Sequence, residues 1–159
     1  MNDSKIFVSI TDKECFDAAQ VGLVRRIVSC NKGFADRKKQ CNTNWEQDIE
    51  GAIGEMVLAK HLNIKWNKGV NTFHDPDVGS FQVRTTQYLN GKLIVRAWDS
   101  DDDVYVLVVG TYPKYYICGG IRGKDAKQDK WKLNPNGTGY AWFIPQPSLS
   151  SIESMKISK

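Results

Sequence analysis

The sequence predicts an α+β protein, an α/β sandwich in which N-terminal helices pack on a central mixed sheet of four to five strands. Three observations predict it. Helical periodicity, twice introduced by a capping box, occupies the chain up to Asn63. From Phe81 onward apolar residues alternate, or run unbroken, over strand-length segments separated by Asn, Asp, Gly and Pro turns. Val104 to Val109 is continuously apolar, the pattern of a strand covered on both faces. The 159 residues suit one domain with a full core.

Ile6 to Ile10 reads as a short strand. Thr11 to Glu14 then forms a capping box, the hydroxyl accepting an orphan N–H while the carboxylate reaches back. Phe16, Ala19, Leu23, Ile27 and Cys30 recur at helical spacing and define the expected apolar face of about five turns, with Gly33 as the stop. Arg37 to Gln40 is a basic loop, either a solvated linker or a phosphate-facing segment. Thr43 to Glu46 is a second capping box. Trp45, Ile49, Ala52, Ile53, Met56, Val57 and Leu62 give its helix a broad apolar face, and Asn63 closes it. Gly51 and Gly54 each cost about 1 kcal/mol relative to Ala in a helix interior, so both are expected to admit a close approach by the sheet. Glu55 lies one turn after Gly51 and is expected on that face; the alternative is a surface carboxylate.

Ile64 to Trp66 is read as a brief strand and Lys68 to His74 as loop. An acidic turn, Asp75 to Gly79, leads into Phe81–Thr86. Along that strand Phe81, Val83 and Thr85 share one face, and Gln82, Arg84 and Thr86 the other. Asn90-Gly91 predicts a hairpin joining it to Leu93–Trp98. Asp99 to Asp103 is an acidic turn and not an EF-hand, because counting from Asp99 puts Val104 at position six and Gly110 at position twelve. Tyr115 to Ile121 is the expected neighbour of the buried strand. Lys124 to Trp131 is read as a short polar helix, Tyr140 to Ile144 as the last strand, and Pro145 onward as a tail.

The net charge of +4 permits nucleic-acid binding without requiring it. No apolar run is long enough to cross a bilayer and the N-terminal residues lack a signal-peptide pattern, so a cytoplasmic protein with no membrane partner is expected. Cys15, Cys30, Cys41 and Cys118 form no close pair, which excludes a zinc ribbon or a thioredoxin-like motif, and all four are expected reduced. His61 and His74 sit in no recognisable nucleophile context, and no Gly-rich phosphate loop is present. The chemistry-bearing set that remains is Glu55, Asp75, Asp77, Gln82 and Arg84. An Asp can hold a hard cation, an amide oxygen can share it, and a guanidinium can meet the charge developing on a phosphate. An edge strand with a solvated face is the alternative. Asp77 and Gln82 are an odd number apart, so they converge only if the chain breaks near Gly79.

Glu55 in an early helix, Pro76-Asp77 and Gln82-Val83-Arg84 together resemble the PD-(D/E)XK nuclease superfamily, over roughly Thr43 to Ile144. The resemblance implies a restriction-endonuclease-like core of helix, three strands, helix and strand. It also implies Mg²⁺ (or Mn²⁺) as cofactor and hydrolysis of DNA phosphodiesters as an endo- or exodeoxyribonuclease. Carried onto this chain, Glu55, Asp77 and Gln82 are the expected metal ligands, Gln82 standing where the superfamily has a second acid. Arg84 stands where it has a Lys and completes the catalytic set. Arg stabilises a phosphorane-like charge but cannot take a proton from water. The rival expectation is therefore a degenerate nuclease-like module that binds nucleic acid or a protein partner. The general pattern is also similar to small phage proteins, which implies an accessory or inhibitor protein in the host cytoplasm. A homo-oligomeric assembly protein is the third reading. Arg122, Lys124, Lys127, Lys130 and Trp131 are expected to track a phosphate backbone, Trp131 as a stacking platform; the alternative is a solvated helix with one buried Trp.

Overall fold

The structure, a computed structural model, describes residues 5–31, 45–69 and 75–155. The expectations for Gly33, the 37–40 loop, Cys41, Thr43 and His74 lie outside the described residues.

The order of elements is β1 (Ile6–Ser9), α1 (Asp12–Asn31), α2 (Trp45–Leu62), β2 (Phe81–Thr86), β3 (Leu93–Arg96), β4 (Val104–Thr111), β5 (Lys114–Arg122), α3 (Gly123–Ala126), β6 (Lys132–Leu133), β7 (Ala141–Ile144) and α4 (Ile152–Met155). A mixed four-stranded sheet runs β1-β5-β4-β2, and a separate three-stranded sheet runs β3-β7-β6. The α+β class with helices on a mixed sheet is therefore correct. The layers are helices, four-stranded sheet and three-stranded sheet.

β4 explains the layering. Its residues Val104 to Gly110 are all buried. Val104, Val106 and Val108 join the core under α1 and α2, while Tyr105, Leu107 and Val109 join a second core against Leu93, Val95 and Ile144. Two-residue alternation thus feeds two cores, and the strand must be apolar throughout. β5 pairs with it antiparallel, with a register shift at Leu107/Val108.

The Asn90-Gly91 expectation is corrected. Gly91 N donates to Tyr88 O at 2.9 Å, so the turn forms. The flanking strands part company, however: β2 pairs parallel with β4, and β3 pairs antiparallel with β7. Alternation in β2 and β3 is equally compatible with non-local partners, and burial on both faces of β4 favours them. Ile64–Trp66 forms no strand. The expected polar helix is a single turn, α3, followed by a 3-10 turn at Asp129–Trp131.

The Thr11 box is present, with Glu14 N donating to Thr11 Oγ1 at 3.2 Å and Thr11 N to Glu14 Oε2 at 2.8 Å. The face of α1 differs from expectation. Ala18, Gly22 and Arg26 are buried, whereas Phe16, Leu23 and Ile27 are exposed. Gly22 is the reason: a Cβ there would stand 2.5 Å from Ile49 Cα, so the α1 and α2 backbones touch along a small-residue seam. Asn63, at φ 53°, ends α2 in the left-handed conformation as expected. Gly54 faces Thr85 of β2, whose side chain a Cβ would strike, whereas Gly51 faces open space and needs no such explanation. Cys15 and Cys118 are free thiols, while Cys30 is disulfide-bonded, which corrects the expectation of four reduced cysteines.

Candidate active site at the sheet edge

β2 is an edge strand, and the candidate site wraps around its free edge. Gly79 adopts φ 57°, and Phe81 N donates to Val78 O at 2.9 Å. This tight turn folds Asp77 back alongside β2, where Asp77 N donates to Phe81 O at 2.9 Å. The Asp77 carboxylate then accepts the edge N–H of Val83 at 2.7 Å, satisfying a group that an edge strand otherwise leaves open. The chain break that the Asp77–Gln82 spacing requires is in place.

Three directions converge there. Glu55 comes from α2, on the face of the sheet that packs Phe81 and Val83. Gln82 and Arg84 lie in register with Tyr105 and Leu107 and so project from the other face. Asp77 lies along the edge between them. All four line one cavity of about 650 Å³, together with Arg25, Asp48, Trp98, Asp99, Asp103 and Tyr105 among others.

Glu55 is buried and held by three hydrogen bonds. Arg25 of α1 grips it through two hydrogen bonds of 2.8 and 2.7 Å, and Trp66 Nε1 donates to it at 3.0 Å. Arg25 Nε donates to Gly69 O at 2.7 Å. Burial works against the Arg25 charge, but the hydrogen bond and charge of Glu55 outweigh it and hold the guanidinium pKa above its usual value. Asp77 is in the contrary state. Burial, reinforced by the neighbouring Glu55 charge, pushes its pKa up to about 6, against the pull of the Val83 N–H and of Arg84 and Arg25.

Gln82 is also buried; its Nε2 donates to Asp75 O at 3.2 Å and Asp103 Oδ2 at 3.3 Å. Arg84 donates to Asp99 Oδ2 at 3.0 Å and lies 5.0 Å from the Tyr105 ring centroid. Its buried Nε has no hydrogen-bond partner. Among the described residues the lining carries five carboxylates (Asp48, Glu55, Asp77, Asp99, Asp103) against two arginines.

Among the described residues no three His, Cys, Asp or Glu side chains are grouped to hold a metal ion. Of the four residues named from the sequence, Asp77 keeps a carboxylate oxygen and Gln82 its amide oxygen, in a cavity that Asp48, Asp99 and Asp103 also line. A set of two hard oxygens fits Mg²⁺, which retains much of its water and takes one or two protein oxygens.

The basic residues near the C-terminal half are differently placed. Lys127 donates to Asp99 O at 2.7 Å and to Asp101 at 2.6 Å, and Arg122 donates to Asp102 O at 3.0 Å. They fasten the acidic turn that forms one wall of the cavity. Lys124 and Lys130 are exposed, and Lys130 lies 4.3 Å from the centroid of the Trp131 ring, which is half-buried against the second core.

Sequence reasoning missed Arg25, Trp66, Asp99 and Asp103 as site residues. For Arg25 a signal was available: Ala18 and Gly22, one turn apart, mark the packed face that Arg25 and Arg26 extend. No family model matches the chain, and comparison with curated proteins and with solved structures returns no match.

Proposed function

We propose that the protein is a Mg²⁺-dependent nuclease acting on DNA, with its site at the free edge of β2. The observation that carries the reading is the convergence of Glu55, Asp77, Gln82 and Arg84, from three segments, on one acid-rich cavity. Asp77 and the amide oxygen of Gln82 would hold the ion. A bound Mg²⁺ supplies Lewis-acid polarisation of the phosphate and a water of lowered pKa. Asp77 must be ionised for its role, and it becomes so as pH rises through about 6. Arg84 is the cationic group to meet a phosphate oxygen, and its orientation is fixed by Asp99 and Tyr105. It stabilises charge and takes no part in proton transfer.

The test is cleavage of single- and double-stranded DNA and RNA with Mg²⁺ or Mn²⁺, beside a chelator control and Asp77→Ala. The expected result is metal-dependent DNA cleavage reduced on the order of 100-fold or more in the variant. One observation favours a second reading, a nuclease-like module that binds nucleic acid or a protein partner without cutting it: Glu55 already holds three hydrogen bonds from Arg25 and Trp66. DNA binding that survives Asp77→Ala, with no cleavage by either protein, would select that reading.

A further inference from the structure

Arg25 and the acids Glu55 and Asp77 line the same cavity, and Arg25 is bonded to Glu55. Its two terminal nitrogens meet the two oxygens of Glu55 at 2.8 and 2.7 Å, and Nε is anchored on Gly69 O at 2.7 Å. Its side chain is 18 % exposed and that of Glu55 8 %. Trp66 Nε1, at 3.0 Å, occupies a further lone pair of the same carboxylate. The guanidinium is therefore a fixed positive charge, delivered from α1 and held on the cavity wall in fork-on-fork geometry. A metal ion could take both oxygens of Glu55 only by displacing it. Among the described residues Asp77 accepts a backbone N–H through Oδ2, and Gln82 is engaged through its amide nitrogen, so an oxygen of each remains for a cation.

We propose that Arg25 is a resident cation of this site, standing in place of a second metal ion, so that the cavity takes a single divalent cation on Asp77 and Gln82. This rests on the nuclease reading and refines it. Glu55 becomes the anchor of Arg25 instead of a metal ligand. Arg25 is a positioning residue that neutralises Glu55 while leaving Asp77 open.

The experiment is Mn²⁺ titration of the full chain, with free ion followed by electron paramagnetic resonance, for wild type, Asp77→Asn, Glu55→Gln, Arg25→Lys and Arg25→Met. One ion per wild-type chain is expected. Asp77→Asn should weaken binding at least tenfold, and Glu55→Gln should keep a single site but weaken it as well, because the Arg25 charge is then left uncompensated on the cavity wall. Arg25→Lys should keep one site, and Arg25→Met should release Glu55 and add a second. A purely structural Arg25 would not change the stoichiometry. If the Glu55 and Arg25 variants fail to fold, the wild-type count still decides. Two ions per wild-type chain, or a single ion in folded Arg25→Met, would overturn the proposal and leave the nuclease reading standing. No ion bound by folded wild type would overturn both.

Discussion

Arg25 and Arg84 reach the same cavity from the two faces of one edge strand, and they differ in how completely they are satisfied. Arg25 makes three hydrogen bonds of 2.7–2.8 Å to Glu55 and Gly69. Arg84 makes one side-chain ion pair, at 3.0 Å, and keeps a buried Nε without a partner. A buried donor left open costs free energy that a protein purely selected for stability would not retain. One guanidinium is held at every nitrogen and the other at only part of its edge. The carboxylates beside them divide the same way: Glu55 holds three hydrogen bonds, while Asp77 is desolvated and holds the one from Val83 N.

The comparison can be broken by substitution. Arg25→Met strands a buried carboxylate and should destabilise the protein by about 3–5 kcal/mol, read from the shift in denaturant midpoint. A loss under about 1 kcal/mol would mean that Arg25 is as dispensable as a surface ion pair.

The pH dependence of stability sharpens the contrast between the two acids. The folded pKa of Asp77, about 6, lies above its ordinary value of 3.8, so the native state binds the extra proton. Its contribution is most favourable below the ordinary value and is lost as pH rises through about 6, a loss of at most about 3 kcal/mol. Chemical denaturation from pH 4 to 8 without metal should show this decline, and Asp77→Asn should flatten it. An unchanged profile in the variant would contradict the assignment.

Gly22→Ala probes the seam that brings Arg25 to Glu55. The added Cβ meets Ile49 Cα at 2.5 Å and should cost about 1–3 kcal/mol, with the Arg25–Glu55 pair loosened. Thermal unfolding of this variant should fall between those of Arg25→Met and wild type. The smallest stability effect belongs to Arg84→Met, expected within about 1 kcal/mol because its ion pair is partly exposed and Asp99 keeps its bond from Arg96 N. DNA affinity should nevertheless fall about tenfold, measured by fluorescence anisotropy.

Local signals were legible in the sequence and long-range ones were not. The Thr11–Glu14 box, the end of α2 at Asn63, the turn at Gly79 and the two-faced burial of β4 each depend on residues close in sequence. The partners of β2 and β3 depend on the second sheet closing over β4, which no local pattern encodes. The face of α1 was misread because large apolar residues outweigh small ones in a periodicity, whereas the helix seam needs Ala18 and Gly22. For the same reason Glu55, Asp77, Gln82 and Arg84 could be named through their resemblance to a motif, while Arg25 was marked only by the Ala18 and Gly22 seam that the larger apolar residues outweighed.

The most direct test is DNA cleavage by Asp77→Asn relative to wild type, with Mn²⁺ present and the fold of both checked by thermal melting. The account predicts a variant at least as stable as wild type at pH 8 and reduced in cleavage on the order of 100-fold or more. A folded Asp77→Asn that cleaves DNA at the wild-type rate would contradict it.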